Sequence, residues 1–463
     1  MSDQTEIPEP PEDETEDDYA LRNRVVASAV AATQSGDRAA LEDVLEPLHP
    51  ADIADLLEQV DAEDRTAILQ LAGDYIDGEI LSEIDEDIRD RVIEAMEPEV
   101  LAAAVQELES DDVVDLIEDL DEPQQEAILD VLDMVDRMAV EQALNYPEYS
   151  AGRLMQREVV IAPEHWTVGD TIDHLRAQTD LPDQFYHIIL VDPRHRPTAY
   201  VTLGRLMSSR RDVALKDITE ESFRAFEVEE DEGDVAYAFN QYHMISAPVV
   251  DAEGRLAGVI TIDDAMAVLD EEHEEDVLRL GGVGDESLSN STMEIVKRRF
   301  PWLGVNLATA ILASIVISFF EDVLTAVVAL AVLMPIVASM GGNAGTQSMT
   351  VAVRALATRD LTGSNALRVV RREAMAGLLN GVLFAVVMGI VGVIWFGQPM
   401  IGVVIAVAMV INLLAAGLSG VLIPLALDKF GVDPALASGT FVTTVTDVVG
   451  FFAFLGLASV VLL

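Results

Sequence analysis

Cysteine is absent from the 463-residue chain, so neither a disulfide framework nor a thiolate metal site can form. Lysine is nearly absent too, at Lys216, Lys297 and Lys429 alone. All basic residues together number 28 against 82 acidic ones, a formal net charge of −54. A surface of that sign repels nucleic acid and anionic lipid and draws in mono- and divalent cations, so no nucleic-acid partner is expected. The seven histidines all lie outside the long apolar runs, and no nucleophile–base pattern or metal-hydrolase spacing occurs, which argues against an enzyme. The shortage of positive charge is uneven: from Lys297 onward there are nine Lys/Arg and only seven Asp/Glu. Adaptation to a high-salt cytoplasm, where salt screens an acidic surface, is the expected source of most of the excess, and cation sensing would explain particular clusters only.

What is present divides into segments of different character. Residues 1–20 are acidic and Pro-rich, with no basic n-region and no apolar h-region, and read as a disordered tail rather than a signal peptide. From about residue 19 to 140, apolar residues recur at three- and four-residue spacing between Pro, Asp and Ser, which predicts a run of short amphipathic helices. Asp52-Ile53-Ala54-Asp55-Leu56-Leu57 is echoed by Asp112-Val113-Val114-Asp115-Leu116-Ile117, and Ala67-Ile68-Leu69 by Ala127-Ile128-Leu129 at the same displacement. Such an echo suggests a solenoid-like superhelix; an ordinary bundle with chance similarity is the alternative.

Between residues 146 and 269 one pattern occurs twice: a lead and helix, a β-branched strand, an Asp-centred turn, a second strand and another helix. Two open sheets of this kind cover each other as a pseudo-symmetric pair. The sequence from Pro248-Val249-Val250-Asp251 through Gly254-Arg255 to Thr261-Ile262-Asp263-Asp264 resembles the second half of a CBS domain. That resemblance implies an adenine-nucleotide ribose site at Thr261 and Asp264, with ATP as the expected cofactor, unless the pair is purely structural. The first copy departs from the pattern, with Arg205 where the ribose-binding Asp would be.

The connecting stretch contains Glu271-Glu272-His273-Glu274-Glu275-Asp276. By default such a run is a solvated helix face. Hard cations prefer oxygen ligands and Mg²⁺ keeps several waters, so clustered carboxylates are candidate weak Mg²⁺ or Ca²⁺ sites, whereas one His is no basis for zinc.

Five apolar runs follow, at about 302–320, 323–340, 374–396, 400–427 and 436–463, each near or above the length needed to cross a bilayer. With five spans, all nine basic residues fall on one side, which the positive-inside rule assigns to the cytoplasm. The acidic domains are then cytoplasmic and the C-terminus external. In the second run Pro335 and Gly341-Gly342-Asn343-Ala344-Gly345 predict a broken helix lining a cavity, unless the glycines serve close packing. In the last run Asp447 is a carboxylate in a segment otherwise fit for lipid. A charge there costs roughly 2.5–3.5 kcal/mol on insertion scales, which makes it the first candidate for an ion site.

The residues Pro335, Gly341–Ser348, Arg354-Ala355-Leu356-Ala357, Gly431-Val432-Asp433-Pro434-Ala435 and Thr443-Thr444-x-x-Asp447 resemble the membrane domain of the MgtE magnesium channel and transporter family. The segment order matches over nearly the whole chain after the tail. The resemblance implies an acidic tail (1–20), a helical superhelical domain (21–145), an α/β CBS pair (146–270), a connecting gating segment (271–299) and an all-α membrane domain of five transmembrane helices (300–463). It implies a homodimer in the lipid bilayer that passes Mg²⁺, with Co²⁺ and Mn²⁺ as further candidate ions, and that cytosolic Mg²⁺ closes. It places pore-side metal contacts at Asp447, with Thr443, Thr444 and Asn343 beside it. Regulatory metal is implied at Asp264, Glu272, Glu275 and Asp276, although Ala267 stands where family members often carry an acid. The residues leave open a coupled Mg²⁺ exchanger and a membrane-anchored cation or nucleotide sensor without conduction.

Overall fold

The structure, a computed structural model, describes residues 21–96, 98–118, 120, 122–178, 181–182, 184–220, 222–283 and 292–463. The acidic tail and residues 284–291 of the connecting segment lie outside the described residues. The chain divides into two compact units, Met1–Asp270 and Glu271–Leu463.

The first unit begins with short helices from Asn23–Ser35 to Met134–Ala143. Aspartates open several of them: Asp37, Asp61, Asp77 and Asp133 each accept a backbone N–H of the first turn. This satisfies donors that the helix itself leaves unpaired. The internal echo is real in packing. Ile53, Leu56, Leu57, Ile68 and Leu69 are buried, and so are their counterparts Val113, Leu116, Ile117, Ile128 and Leu129. Both sets belong to one continuous core.

Two three-stranded sheets follow. The first comprises β1 (Ile161–Pro163), β2 (His187–Val191) and β3 (Pro197–Thr202), and the second β4 (Phe226–Glu227), β5 (Ser246–Val250) and β6 (Leu256–Thr261). In each, the first strand pairs in parallel and the last antiparallel with the middle one. The middle strands carry matching register shifts, at Leu190/Val191 and Val249/Val250, so the duplication extends to its irregularities. The helix Ile262–Leu280 leaves β6 and carries the chain across the boundary between the units.

Among the described residues, the second unit contains five helices long and apolar enough to cross a membrane. In chain order these spans are Thr292–Ser318, Ala329–Ala357, Ala366–Phe396, Pro399–Lys429 and Pro434–Leu462. Span 4 packs on spans 2, 3 and 5, and span 1 packs on span 5. Leu303, Leu307, Ile311 and Ile315 on span 1 and Leu379, Leu383, Val386 and Ile390 on span 3 are exposed. Stripes of that kind at three- and four-residue spacing suit lipid, not water.

Span 2 corrects one expectation. It is a continuous helix of 29 residues with Pro335 inside it, not a broken one. Its glycines serve close approach: a Cβ at Gly341 would lie 2.2 Å from Asn412 Nδ2, and one at Gly345 would lie 2.6 Å from Val442 Cγ1. The packing reading of the glycine run therefore holds.

Candidate functional site

Span 5 and span 2 meet where the sequence places its pore candidates. The Cβ position of Gly342 is 4.0 Å from Thr443 Cγ2, and that of Gly345 is 3.5 Å from Thr446 Cγ2. Thr443 donates its hydroxyl to the carbonyls of Gly439 and Thr440 at 3.0 and 3.1 Å, and Thr444 donates to Thr440 at 2.6 Å. Back-bonding of this kind commits the proton to the helix and leaves the hydroxyl oxygen as an acceptor. Asn343, exposed on the neighbouring helix, donates its amide N–H to the Ser339 carbonyl at 2.9 Å, which leaves its Oδ1 an acceptor. Asp447 is partly buried, and its carboxylate has no hydrogen-bond partner among the described residues. The local chemistry is thus one carboxylate with neutral oxygens nearby, a set that suits a cation carrying its water.

A second carboxylate site lies in the first unit, and most of it escapes a reading of the sequence. Glu109, Asp111 and Asp112, at the start of the helix Ser110–Glu118, face Asp264 at the start of the helix that follows β6. Burial, then mutual repulsion, pushes Glu109 and Asp112 up to about 7 and holds Asp111 well above the usual carboxylate range. Burial raises Asp264 as well, against the hydrogen bonds it accepts from the Thr261 hydroxyl (2.6 Å) and backbone (3.3 Å). The repeat carried a signal: Glu109-Ser110-Asp111-Asp112 replaces His49-Pro50-Ala51-Asp52, adding two carboxylates at one point of an otherwise matching motif.

The remaining candidates are spread along the connecting helix. Glu272 is exposed. Glu275 forms an ion pair with Arg279 at 2.6 Å, and Arg279 also reaches Asp433 at 3.2 Å. Asp276 is raised by burial and by Asp433, with Arg279 and His273 opposing. Among the described residues no three His, Asp or Glu side chains converge as a ready-made metal cage.

Thr261 lines the cleft between the two sheets with Gln156, His187 and Ser246, and this cleft holds only about 20 Å³. In the first copy Arg205 is paired with Glu220 at 3.3 Å.

Three family models match the chain: divalent cation transporter over residues 334–457, MgtE intracellular N domain over 48–149, and CBS domain over 215–271. The magnesium transporter MgtE of Thermus thermophilus is 33% identical over 449 residues, covering 96% of this chain and 99% of the relative. That of Bacillus subtilis is 28% identical over 418 residues, covering 90% and 92%. The crystal structure of the cytosolic domain of the Mg²⁺ channel MgtE in complex with ATP is 30% identical, covering 52% of this chain and 99% of that one, with a TM-score of 0.48. Five spans, a duplicated sheet domain and a helical domain thus follow one another in a chain that matches such relatives from end to end: it belongs to the MgtE family of magnesium transporters.

Proposed function

We propose that the chain forms a homodimeric, Mg²⁺-selective pathway through the membrane that cytosolic Mg²⁺ closes. The observation that carries this reading is the acceptor set on span 5: Asp447 with the oxygens of Thr443 and Thr444, whose protons are spent on the helix backbone. Mg²⁺ gives up its water reluctantly, so a carboxylate and neutral acceptors that bind the hydration shell can select it without stripping it. The threonines and Asn343 accept hydrogen bonds from that water while Asp447 supplies the charge. The same pathway admits Co²⁺ and Mn²⁺ to the extent that their hydrated size matches.

Closure is assigned to carboxylates that repel one another until a cation bridges them. Glu109, Asp111, Asp112 and Asp264 form one such group; Glu272, Glu275 and Asp276 contribute from the connecting helix. Mg²⁺ binding favours whichever state brings carboxylates together, by its differential affinity for the two states. The N-terminal domains face the cytoplasm and the C-terminus faces outward, as the basic residues around the spans require. ATP, if bound, enters at Thr261 and Asp264, which demands that the narrow cleft open.

Mg²⁺ flux into dye-loaded proteoliposomes tests the reading. Flux should follow an imposed voltage, fall with internal Mg²⁺ and be lost in Asp447→Ala. Flux in Asp447→Ala equal to the parent's would sink the pore assignment, and domain movement without flux would point to a sensor.

A further inference from the structure

Arg157 follows the short helix Ala151–Leu154, in the segment that leads into β1. Its Nε and Nη2 are buried and have no hydrogen-bond partner among the described residues. Donors buried without acceptors are costly, because they give up hydration and gain nothing in return. The neighbouring carboxylate does not relieve them. Glu158 Oε2 is committed elsewhere, accepting from the Ser110 hydroxyl at 2.8 Å, the Ser110 backbone N–H at 3.4 Å and the Arg157 backbone N–H at 2.9 Å.

Arg157 also lines a cavity of about 360 Å³. His174 and Gln178, one turn apart at the end of the helix Val168–Ala177, form another part of its wall, and Ile161 and Leu181 make it partly apolar. Trp166 packs edge-on against the His174 ring at 4.9 Å and fixes it there. A cavity of this size, apolar in part and bearing a few convergent polar groups, is what a small organic ligand fills. It adjoins the cleft at Thr261, sharing Glu158, Val159 and Val160 with it, and contains none of the carboxylates assigned to Mg²⁺.

We infer that this cavity is a binding site for a small organic anion, a carboxylate or phosphate on a compact apolar body, held by Arg157 with His174 and Gln178 beside it. The guanidinium offers paired N–H groups that fit either oxyanion, and Ile161 and Leu181 accept the body. Through Arg157 and Glu158 the site adjoins Ser110, next to Asp111, so a bound anion offsets positive charge close to the acidic pocket. Reciprocity then requires that anion and Mg²⁺ each strengthen the binding of the other.

Calorimetric titration of the full-length protein in detergent, with benzoate, phenyl phosphate and the neutral benzyl alcohol, tests this. One or both anions should bind at one site per chain, at least ten-fold tighter than the alcohol; which anion wins identifies the oxyanion. Arg157→Met should weaken anion binding at least ten-fold, whereas Arg210→Met, on the surface of the same domain, should leave it unchanged. Without ligand, Arg157→Met should melt at or above the parent's temperature, since it removes two buried donors that have no acceptor. Equal binding by alcohol and anion, no binding of either anion up to about 10 mM, equal anion binding by Arg157→Met, or an Arg157→Met protein that melts lower or fails to fold would each overturn the assignment.

Discussion

Glu109, Asp111, Asp112 and Asp264 share one partly buried corner of the first unit, whereas Asp447 stands alone in span 5. Both places withdraw carboxylates from bulk water, but their surroundings differ. In the corner the carboxylates face one another, so near neutral pH the group must gain protons or a divalent cation. In the span the companions are neutral oxygens, and the single charge meets no rival. The difference suits two tasks: a dense cluster binds strongly and responds to concentration, while an isolated charge attracts an ion weakly enough to release it.

The comparison breaks first at Asp447. Asp447→Ala should reduce Mg²⁺ flux by more than about ten-fold, because nothing else on the span replaces the charge. Asp111→Asn with Asp112→Asn should leave maximal flux within about two-fold of the parent and weaken inhibition by internal Mg²⁺. Flux assays on both variants decide the matter. If the double variant also loses maximal flux, the two sites do not have separate tasks.

Packing around the lone carboxylate gives the next effect. Gly345→Ala would put a methyl 2.6 Å from Val442 Cγ1 and force spans 2 and 5 apart. Overpacking of this kind costs about 1–3 kcal/mol. Thermal melts should show that loss, and flux should fall with it, while Mg²⁺ inhibition of the residual flux keeps the parent's midpoint.

The acidic corner sharpens the comparison through pH. The folded protein holds Glu109 and Asp112 up to about 7, above their values in the unfolded chain. Between about pH 4 and 7 the folded state therefore binds more protons, and the Mg²⁺-free protein loses stability as pH rises through that window. Melting should come on the order of 5 °C higher at pH 5.5 than at pH 7.5, given about 2–4 °C per kcal/mol for a domain of this size. Saturating Mg²⁺, or the Asp111→Asn, Asp112→Asn variant, should shrink that difference. Because the whole chain is acidic, the parent-minus-variant difference is the quantity to read.

Much of this was legible in the sequence because it depends on periodicity and on charge in the wrong solvent. The five spans, the duplicated sheets and the repeated helical core follow from apolar spacing, and Asp447 drew notice as a carboxylate in an apolar run. Span 2 was misread as broken because Pro335 and the glycines carry the same letters whether they open a helix or let another approach; the partner atoms, Asn412 and Val442, are far away in sequence. Glu109, Asp111 and Asp112 were illegible as a site for the same reason. In so acidic a chain they look like any solvated face until Asp264, more than 150 residues on, is folded against them. Arg157 has no motif at all: a missing partner is a property of the fold.

The smallest effect is expected where the connecting helix meets the start of span 5. Arg279 sits between Glu275 and Asp433, and Asp433 caps span 5 by accepting the Ala435 N–H at 2.7 Å. The guanidinium thus ties the end of the connecting helix to the first turn of the helix that carries Asp447. These side chains are about one-third exposed, so the pairs are worth no more than about 1 kcal/mol. Arg279→Gln would leave Glu275, Asp276 and Asp433 without their cation and free to be bridged by Mg²⁺, and the half-inhibitory internal Mg²⁺ should fall by no more than about five-fold. A midpoint in Arg279→Gln equal to the parent's would show that closure runs through the acidic corner alone, and a shift above fifty-fold would show that this tie, rather than the corner, sets the threshold.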